Sequence, residues 1–265
     1  MQIMNKPLLS IIIVDFKSGK YLDSCLSSIG KNENWETIVV DNNKNNIGYG
    51  AGCNKGARTA KGKYLLFLNP DTEILSDSLK YMIDYLEDNP EIGVLGPRLY
   101  NSRDKDRQLS FCRFPGPLTS MFVFSPLKNF WKENPFWKRY IYSKKMNSEE
   151  PIEVDTISGA AIMVKKDVFK KVNGFDEKFF LYFEENDLCK RIKKLKKKIV
   201  FYPDAGIVHF GGKSTAGFSQ RDNVFKESRF KYFKKHYPFP VFLIIEGVIR
   251  MLENLSRFNR KSIKV

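Results

Sequence analysis

Three short apolar runs in this chain each give way to an acid: LLSIIIV before Asp15, WETIVV before Asp41, and YLLFL before Asn69-Pro70-Asp71. An unpaired carboxylate at the end of a buried strand is costly, so a metal or a donor group is expected to meet it there. The plain alternative for Asp71 is a turn or N-cap aspartate ahead of a helix over residues 76–86. A second acid group, Glu184, Glu185 and Asp187, opens a helix directly behind the aromatic run at residues 179–183. A carboxylate held against such a wall has its pKa raised toward the range of a general base. Ordinary first-turn acids, favoured by the helix dipole, would give the same pattern.

Two further stretches carry residue types suited to phosphate. His209, one of two histidines, precedes Gly211 and Gly212 on a loop, which points to a metal or phosphate role over a structural one. The segment NNIGYGAGCN over residues 45–54, with Asn46, Gly48 and Asn54, resembles a phosphate cradle before a helix. It is neither GxGxxG after the first strand nor GxxxxGK[ST], so the dinucleotide fold and the P-loop are disfavoured, and a flexible turn is its alternative. Gly159, in VDTISGAAIMV, marks a place where some group must come close to the backbone.

The elements that must position these residues follow from periodicity. Short β-branched runs predict buried strands over residues 8–14, 35–40, 63–68 and 92–96. Helical spacing covers 20–29, 51–60 and 76–86. Alternation of this kind calls for a parallel sheet with right-handed crossovers and helices on both faces, which sets the first three strand ends side by side. Residues 100–150 lose periodicity but keep many aromatics and predict an ordered excursion over the crevice, with short helices across 118–132. Order returns with a strand over 154–164, a short helix over 166–173, the acid-capped helix from Glu184, and strands over 199–202 and 206–210. A tail helix over 241–258 places Val241, Ile245, Val248, Leu252 and Leu255 on one stripe flanked by arginines. It suits a membrane interface, its own domain, or a partner subunit.

The 265 residues are enough for one large α/β domain with an appendage. Four scattered cysteines form no CxxC pair, so a zinc site or disulfide framework is not expected and a reducing cytoplasm fits. The N-terminus runs directly into a strand without a leader pattern, and no apolar run reaches spanning length. With 45 Lys and Arg against 30 Asp and Glu, the net charge of +15 implies an anionic partner: nucleic acid, an anionic lipid surface or a phosphorylated substrate. A solvated helix face is the plain reading of the basic run at 190–198.

The blocks SIIIVDFKSGKYLDSCLSSI, TIVVDNNKNNIGYGAGCNKGA, YLLFLNPDT, VDTISGAAIMVKKDVFKKVNGFDEKFFLYFEENDLCKR and HFGGKST occur in this order. Over residues 9–215 the chain thereby resembles family 2 of the inverting glycosyltransferases, and more narrowly its bacterial rhamnosyltransferase-like branch, which builds surface polysaccharide. The resemblance implies the α/β GT-A fold, a mixed, mostly parallel nucleotide-binding sheet with helices on both faces, here with a C-terminal helical extension. It implies a domain over 1–215, made of a nucleotide-sugar half (1–100), an insertion (101–150) and an acceptor or catalytic half (151–215), followed by a basic helical extension over 216–265.

Roles come with the resemblance. Asp41, with Asp15 and Phe16, would hold the base and ribose, and Asn46, Gly48, Asn54, Asn69 and Gly159 would complete the sugar-nucleotide contacts. Asp71 stands at the end of the family's DXD motif, of which this chain keeps the final acid alone, and would bind Mg or Mn with His209 nearby. Glu185 matches the second acid of a Glu-Asp pair, the catalytic base, with Glu184 and Asp187 beside it. Here that base is Glu where Asp is commoner, and Asp15 stands where Asn is frequent. The expected partners are a nucleotide diphosphate sugar such as dTDP-rhamnose, a saccharide or lipid-linked saccharide acceptor, and an anionic membrane surface at the inner face. A nucleotidyltransferase would want a Gly-rich basic loop after the first strand, which Asp15-Phe16-Lys17-Ser18-Gly19 supplies poorly. A nucleic-acid-binding module would want aromatics interleaved with Lys and Arg in one groove.

Overall fold

A computed structural model of the chain describes residues 6–104, 106–129, 133–212 and 220–262, with backbone alone at 129 and 255–262. The first hundred residues form β1 (Leu9–Asp15), α1 (Lys20–Ile29), β2 (Trp35–Asp41), α2 (Tyr49–Thr59), β3 (Tyr64–Leu68), β4 (Thr72–Ile74), α3 (Ser78–Asp88) and β5 (Ile92–Tyr100). Next come β6 (Arg107–Gln108), β7 (Phe111–Cys112), α4 (Pro117–Phe122), a 3-10 turn (Pro126–Asn129) and α5 (Pro135–Tyr140). The remainder is β8 (Ile152–Glu153), β9 (Thr156–Ile157), β10 (Ala161–Lys165), α6 (Lys166–Lys171), α7 (Glu184–Lys194), β11 (Lys198–His209), α8 (Arg221–His236) and α9 (Phe239–Ser262).

The main sheet runs β2-β1-β3-β10-β5-β11-β4, with β6 on β5 and β8 on β11. Strands β2, β1, β3, β5 and β11 point one way, while β10 and β4 run against their neighbours. The pleat divides the core. Ile11, Ile13, Leu66 and Leu68 face α1 and α3 on one side. Ile12, Val14, Leu65 and Phe67 face α2 and α7 on the other. Helices must cover both faces because β3 alternates between two apolar sides with no polar position left over.

Three expectations change. The predicted strand over 154–164 breaks at Ser158-Gly159 into β9, which pairs with β7, and β10, which joins the main sheet. The two strands over 199–202 and 206–210 are one strand, β11, whose register on β5 slips between Tyr202 and Gly206. That bulge absorbs Pro203, which cannot donate to a ladder. Asp71 is not the cap of a helix over 76–86, because β4 lies between them and α3 starts at Ser78.

The described residues of the excursion pack against the tail. Phe124 meets Phe183 and Phe225 edge-on, Tyr237 Oη donates to the Pro115 carbonyl at 2.6 Å, and Arg229 Nη1 donates to the Phe124 carbonyl at 3.3 Å. Helix α9 buries Phe242, Ile245 and Ile249 against α8 and turns Phe239, Leu243, Ile244 and Met251 outward. The buried stripe is thus rotated from the one read in the sequence, and Leu255 lies outside the described side chains. Lys213 and Ser214 of the histidine loop, and Phe130 and Trp131 of the excursion, also lie outside the described residues.

Candidate active site

A cavity of about 300 Å³ opens at the end of β1 and β3, lined on one side by Phe16, Asn42, Asn46 and Gly48 and on the other by Gly159, Glu184 and Glu185. Asn69, Pro70 and His209 close its floor. Two chain segments meet to make it. Gly48, at φ +89°, lets the chain turn where a Cβ would come within 2.5 Å of the Phe180 carbonyl oxygen, and that same oxygen accepts from Tyr49 N at 2.8 Å. The opposite wall is strained: Tyr182 and Phe183 stand at φ +70° and +67°, left-handed conformations that bulky residues avoid. Such strain persists where the surroundings over-determine it, here by packing Phe183 against Tyr232, and it aims the first turn of α7 into the cavity.

Glu185 reaches the cavity half-buried, and its Oε1 accepts from Asn186 Nδ2 at 2.8 Å. Burial raises its pKa from 4.5 to about 7, against weaker lowering by backbone and Asn186 hydrogen bonds. Glu184 is more deeply buried, at 4% exposure, and burial followed by the neighbouring Glu185 charge drives its carboxyl well above the usual range. Burial thus favours the protonated form of both carboxyls, Glu184 the more strongly. Asp187 does not join them. It faces α8, where Lys235 Nζ and His236 Nε2 lie 2.7 Å from Oδ1 and Arg191 Nε lies 2.7 Å from Oδ2. Burial alone would raise its pKa, but the His236 hydrogen bond with the Arg191 and Lys235 charges brings it to about 2. Two residues on from Glu185 is slightly more than half a turn, which puts Asp187 on the opposite face of the helix.

At the floor, Asp71 is fully buried behind His209, with Oδ1 3.6 Å from Nε2. Asp71 itself does not line the cavity, but an oxygen and a nitrogen donor this close together suit Mg or Mn when phosphate oxygens complete the sphere. Among the described residues no group of three or more His, Cys, Asp or Glu is placed to hold a metal alone. Asp71 and His209 alone are too few donors to fill a Mg or Mn sphere.

The β1 and β2 ends stand in register, Asp15 beside Asp41. Asn43 ties them together, its Nδ2 donating to Asp15 Oδ2 at 2.7 Å and to Asp41 Oδ1 at 3.0 Å. Bonds from the Asn43 backbone and side chain hold the exposed Asp41 below the usual carboxylate range. Neither acid lines the cavity; their neighbours Phe16 and Asn42 do. Asn54 lies elsewhere. Its Oδ1 accepts from Phe175 N, and its Nδ2 donates to the Phe175 carbonyl and to Glu177 Oε1, each at 2.9 Å, so it fastens the 174–177 turn. The glycines after Gly48 form no phosphate cradle. A Cβ at Gly52 would sit 2.8 Å from Val14 Cγ1 and one at Gly56 2.6 Å from Ile12 Cγ2, so they let α2 lie close on β1.

Sequence reasoning missed several lining residues. Tyr49 donates from Oη to the Gly159 carbonyl at 3.1 Å, and Ser158, Phe180, Tyr182 and Arg221 also line the cavity. Tyr49 had a signal, an aromatic amid glycines at a helix start. Arg221 had none, being the first residue of a helix the basic composition of the tail did not resolve.

Residues 11–172 match the family described as glycosyl transferase family 2. Residues 141–211 match the family described as N-terminal domain of galactosyltransferase. The chain is 29% identical over 183 residues to the N-acetylglucosaminyl-diphospho-decaprenol L-rhamnosyltransferase of Mycobacterium tuberculosis, covering 64% of this chain and 58% of that one. To the rhamnosyltransferase WbbL of Escherichia coli it is 26% identical over 253 residues, covering 84% and 91%. Among solved structures, the mannosyltransferase PcManGT from Pyrobaculum calidifontis, in complex with GDP-Man and Mn2+, superposes with a TM-score of 0.57 at 14% identity, covering 92% of this chain and 69% of that one. That likeness gives the fold, the GT-A sheet expected from the sequence.

Proposed function

The chain belongs to glycosyl transferase family 2, and from that premise we propose that it is an inverting, metal-dependent glycosyltransferase moving a sugar, with rhamnose first in line, from a nucleotide diphosphate donor to a lipid-linked saccharide. Membership favours this over a nucleotidyltransferase or a nucleic-acid-binding module. The observation that carries the reading is the single cavity shared by Glu185 at one wall and Asn69, Pro70 and His209 at the floor.

On this reading Glu185 accepts the proton of an acceptor hydroxyl as that oxygen attacks the anomeric carbon. The new glycosidic bond forms while the bond from that carbon to the diphosphate oxygen breaks, and one displacement inverts the centre. Glu184, more deeply buried and pushed further toward its protonated form, leaves proton removal to its neighbour. Asp71 and His209 would hold Mg or Mn, which when bound supplies Lewis-acid stabilisation of the departing diphosphate; the Mn2+ in the PcManGT complex supports that choice. Phe16 and Asn46, which line the cavity, would hold the base and ribose, with Asp15 and Asp41 just outside it at the strand ends. Residues 1–100 then serve the donor, 151–215 the acceptor, and 216–265 the membrane side.

The outer arc of α9 supports a place at a membrane surface. Phe239, Leu243, Ile244 and Met251 are each at least half exposed, in a chain of net charge +15. An apolar arc on a basic protein suits an anionic bilayer, where each nearby Lys or Arg contributes about 1 kcal/mol. No helix among the described residues is long and apolar enough to cross a membrane. Flotation with anionic liposomes, native against Leu243→Glu with Ile244→Glu, tests this; retained flotation of the double variant contradicts it.

The activity itself is tested by supplying dTDP-rhamnose, Mn2+ and an N-acetylglucosaminyl diphosphate polyprenol, and reading the product by NMR. Transfer with inverted anomeric configuration is expected. A retained configuration, or transfer unchanged by chelator, contradicts the mechanism.

A further inference from the structure

Gln108 of the excursion after β5 reaches the candidate metal end. Gln108, on β6, stands opposite Leu99 of β5, and β6 is fixed by Arg107, whose Nη1 donates to Asn147 Oδ1 at 3.0 Å. Gln108 Oε1 lies 2.8 Å from His209 Nδ1. Its Nε2 lies 2.9 Å from Asn101 Oδ1 and 3.4 Å from the carbonyl oxygen of His209 itself. Which way a side-chain amide points is set by its hydrogen-bond network. Here a backbone carbonyl decides it, because that oxygen can only accept and so must face the amide nitrogen.

With Nε2 turned to the carbonyl, Oε1 has to face the imidazole, and an acceptor there holds the proton on Nδ1. In the neutral ring the lone pair is then on Nε2, the nitrogen 3.6 Å from Asp71 Oδ1 and 3.4 Å from Asn69 Nδ2 in the cavity floor. His236 is arranged the other way, with Nε2 2.7 Å from Asp187 Oδ1. The two histidines of the chain thus carry opposite tautomers for reasons visible in their partners.

We propose that Gln108 is a positioning residue that holds His209 in the Nδ1–H tautomer, so that Nε2 can ligate a divalent cation beside Asp71. This rests on the metal-dependent reading above. Outer partners of a metal-ligating histidine fix its tautomer and ring orientation, and their loss weakens metal binding roughly 10- to 100-fold.

Two variants separate this role from a purely structural one. Gln108→Leu removes the acceptor facing Nδ1, whereas Gln108→Glu keeps an acceptor; both lose the donors to Asn101 and to the His209 carbonyl. Long-range 1H–15N spectra, with His236 as the internal Nε2–H control, are expected to show Nδ1–H at His209 in the native protein and in Gln108→Glu. In an electron paramagnetic resonance titration of Mn2+ with dTDP, Gln108→Leu is expected to weaken uptake roughly 10- to 100-fold and Gln108→Glu to stay within about threefold of native. An Nε2–H ring in the native protein, equal weakening in both variants, or native affinity in Gln108→Leu overturns the inference while leaving metal dependence standing. A native protein that binds dTDP without taking up Mn2+ overturns the metal reading, and the ligating role with it.

Discussion

The first turn of α7 carries acids in two environments, and the contrast between them organises the site. Glu184 and Glu185 face an aromatic-walled cavity with few charges near, and burial raises both, Glu185 to about 7. Asp187, in the same turn, faces Arg191, Lys235 and His236 and sits at about 2. The surroundings, more than the carboxylate, decide which acid can exchange a proton near neutral pH and which is a fixed charge that fastens α8 to α7. A buried carboxylate held by two cations and a histidine is structural; one with an amide partner and an open cavity is available for chemistry.

The largest effect expected from breaking that contrast is on turnover. Glu185→Gln should lower sugar transfer by about 10²- to 10⁴-fold with donor binding unchanged, measured by single-turnover kinetics beside calorimetric binding. The corresponding change on the other face should act on stability. Asp187→Ala leaves Arg191, Lys235 and His236 without their shared acceptor and should cost about 1–3 kcal/mol in denaturant unfolding, with near-native turnover per folded molecule.

The pH response sharpens the contrast because the signs are opposite. The folded protein binds the Glu185 proton more tightly than the unfolded chain does. That contribution to stability is fully present below pH 4.5 and is lost as pH rises through about 7. Glu185→Gln should therefore melt higher than native at pH 8 and alike at pH 4, a difference on the order of 3 kcal/mol. Native turnover should fall about tenfold per unit below pH 7 as the base is protonated. Asp187 contributes above pH 3.8 and loses its contribution as pH falls through about 2. The smallest effect expected is that of Glu184→Gln, which mimics the neutral carboxyl. It should change stability by under about 1 kcal/mol and turnover less than about tenfold; abolished transfer would move the base to Glu184.

The strand ends and the acid turn were legible because they depend on local composition. A run such as Tyr64–Leu68, too short for a helix and bounded by Asn69-Pro70, can only be a strand, and the acids behind residues 179–183 announce a helix start. Direction was not legible. Nothing in AIMVK says that β10 enters between β3 and β5 running against both, since periodicity is blind to sense. Nor does spacing reveal the left-handed Tyr182 and Phe183, whose strain is held by contacts with distant α8. Asp187 and Asn54 were grouped with the site on proximity in sequence, and helix geometry and the 174–177 turn carry them away from it. Gln108 escaped notice because its partner is 101 residues away in the chain.

The central claim is that one cavity brings a cation-holding floor and a proton-accepting wall to the same sugar diphosphate. Isothermal titration of dTDP with and without Mn2+, in native protein, Asp71→Asn and Glu185→Gln, tests it directly. Binding that needs Mn2+, is lost in Asp71→Asn and survives in Glu185→Gln is the result this account requires. Equal binding without metal, or the same loss in both variants, would contradict it.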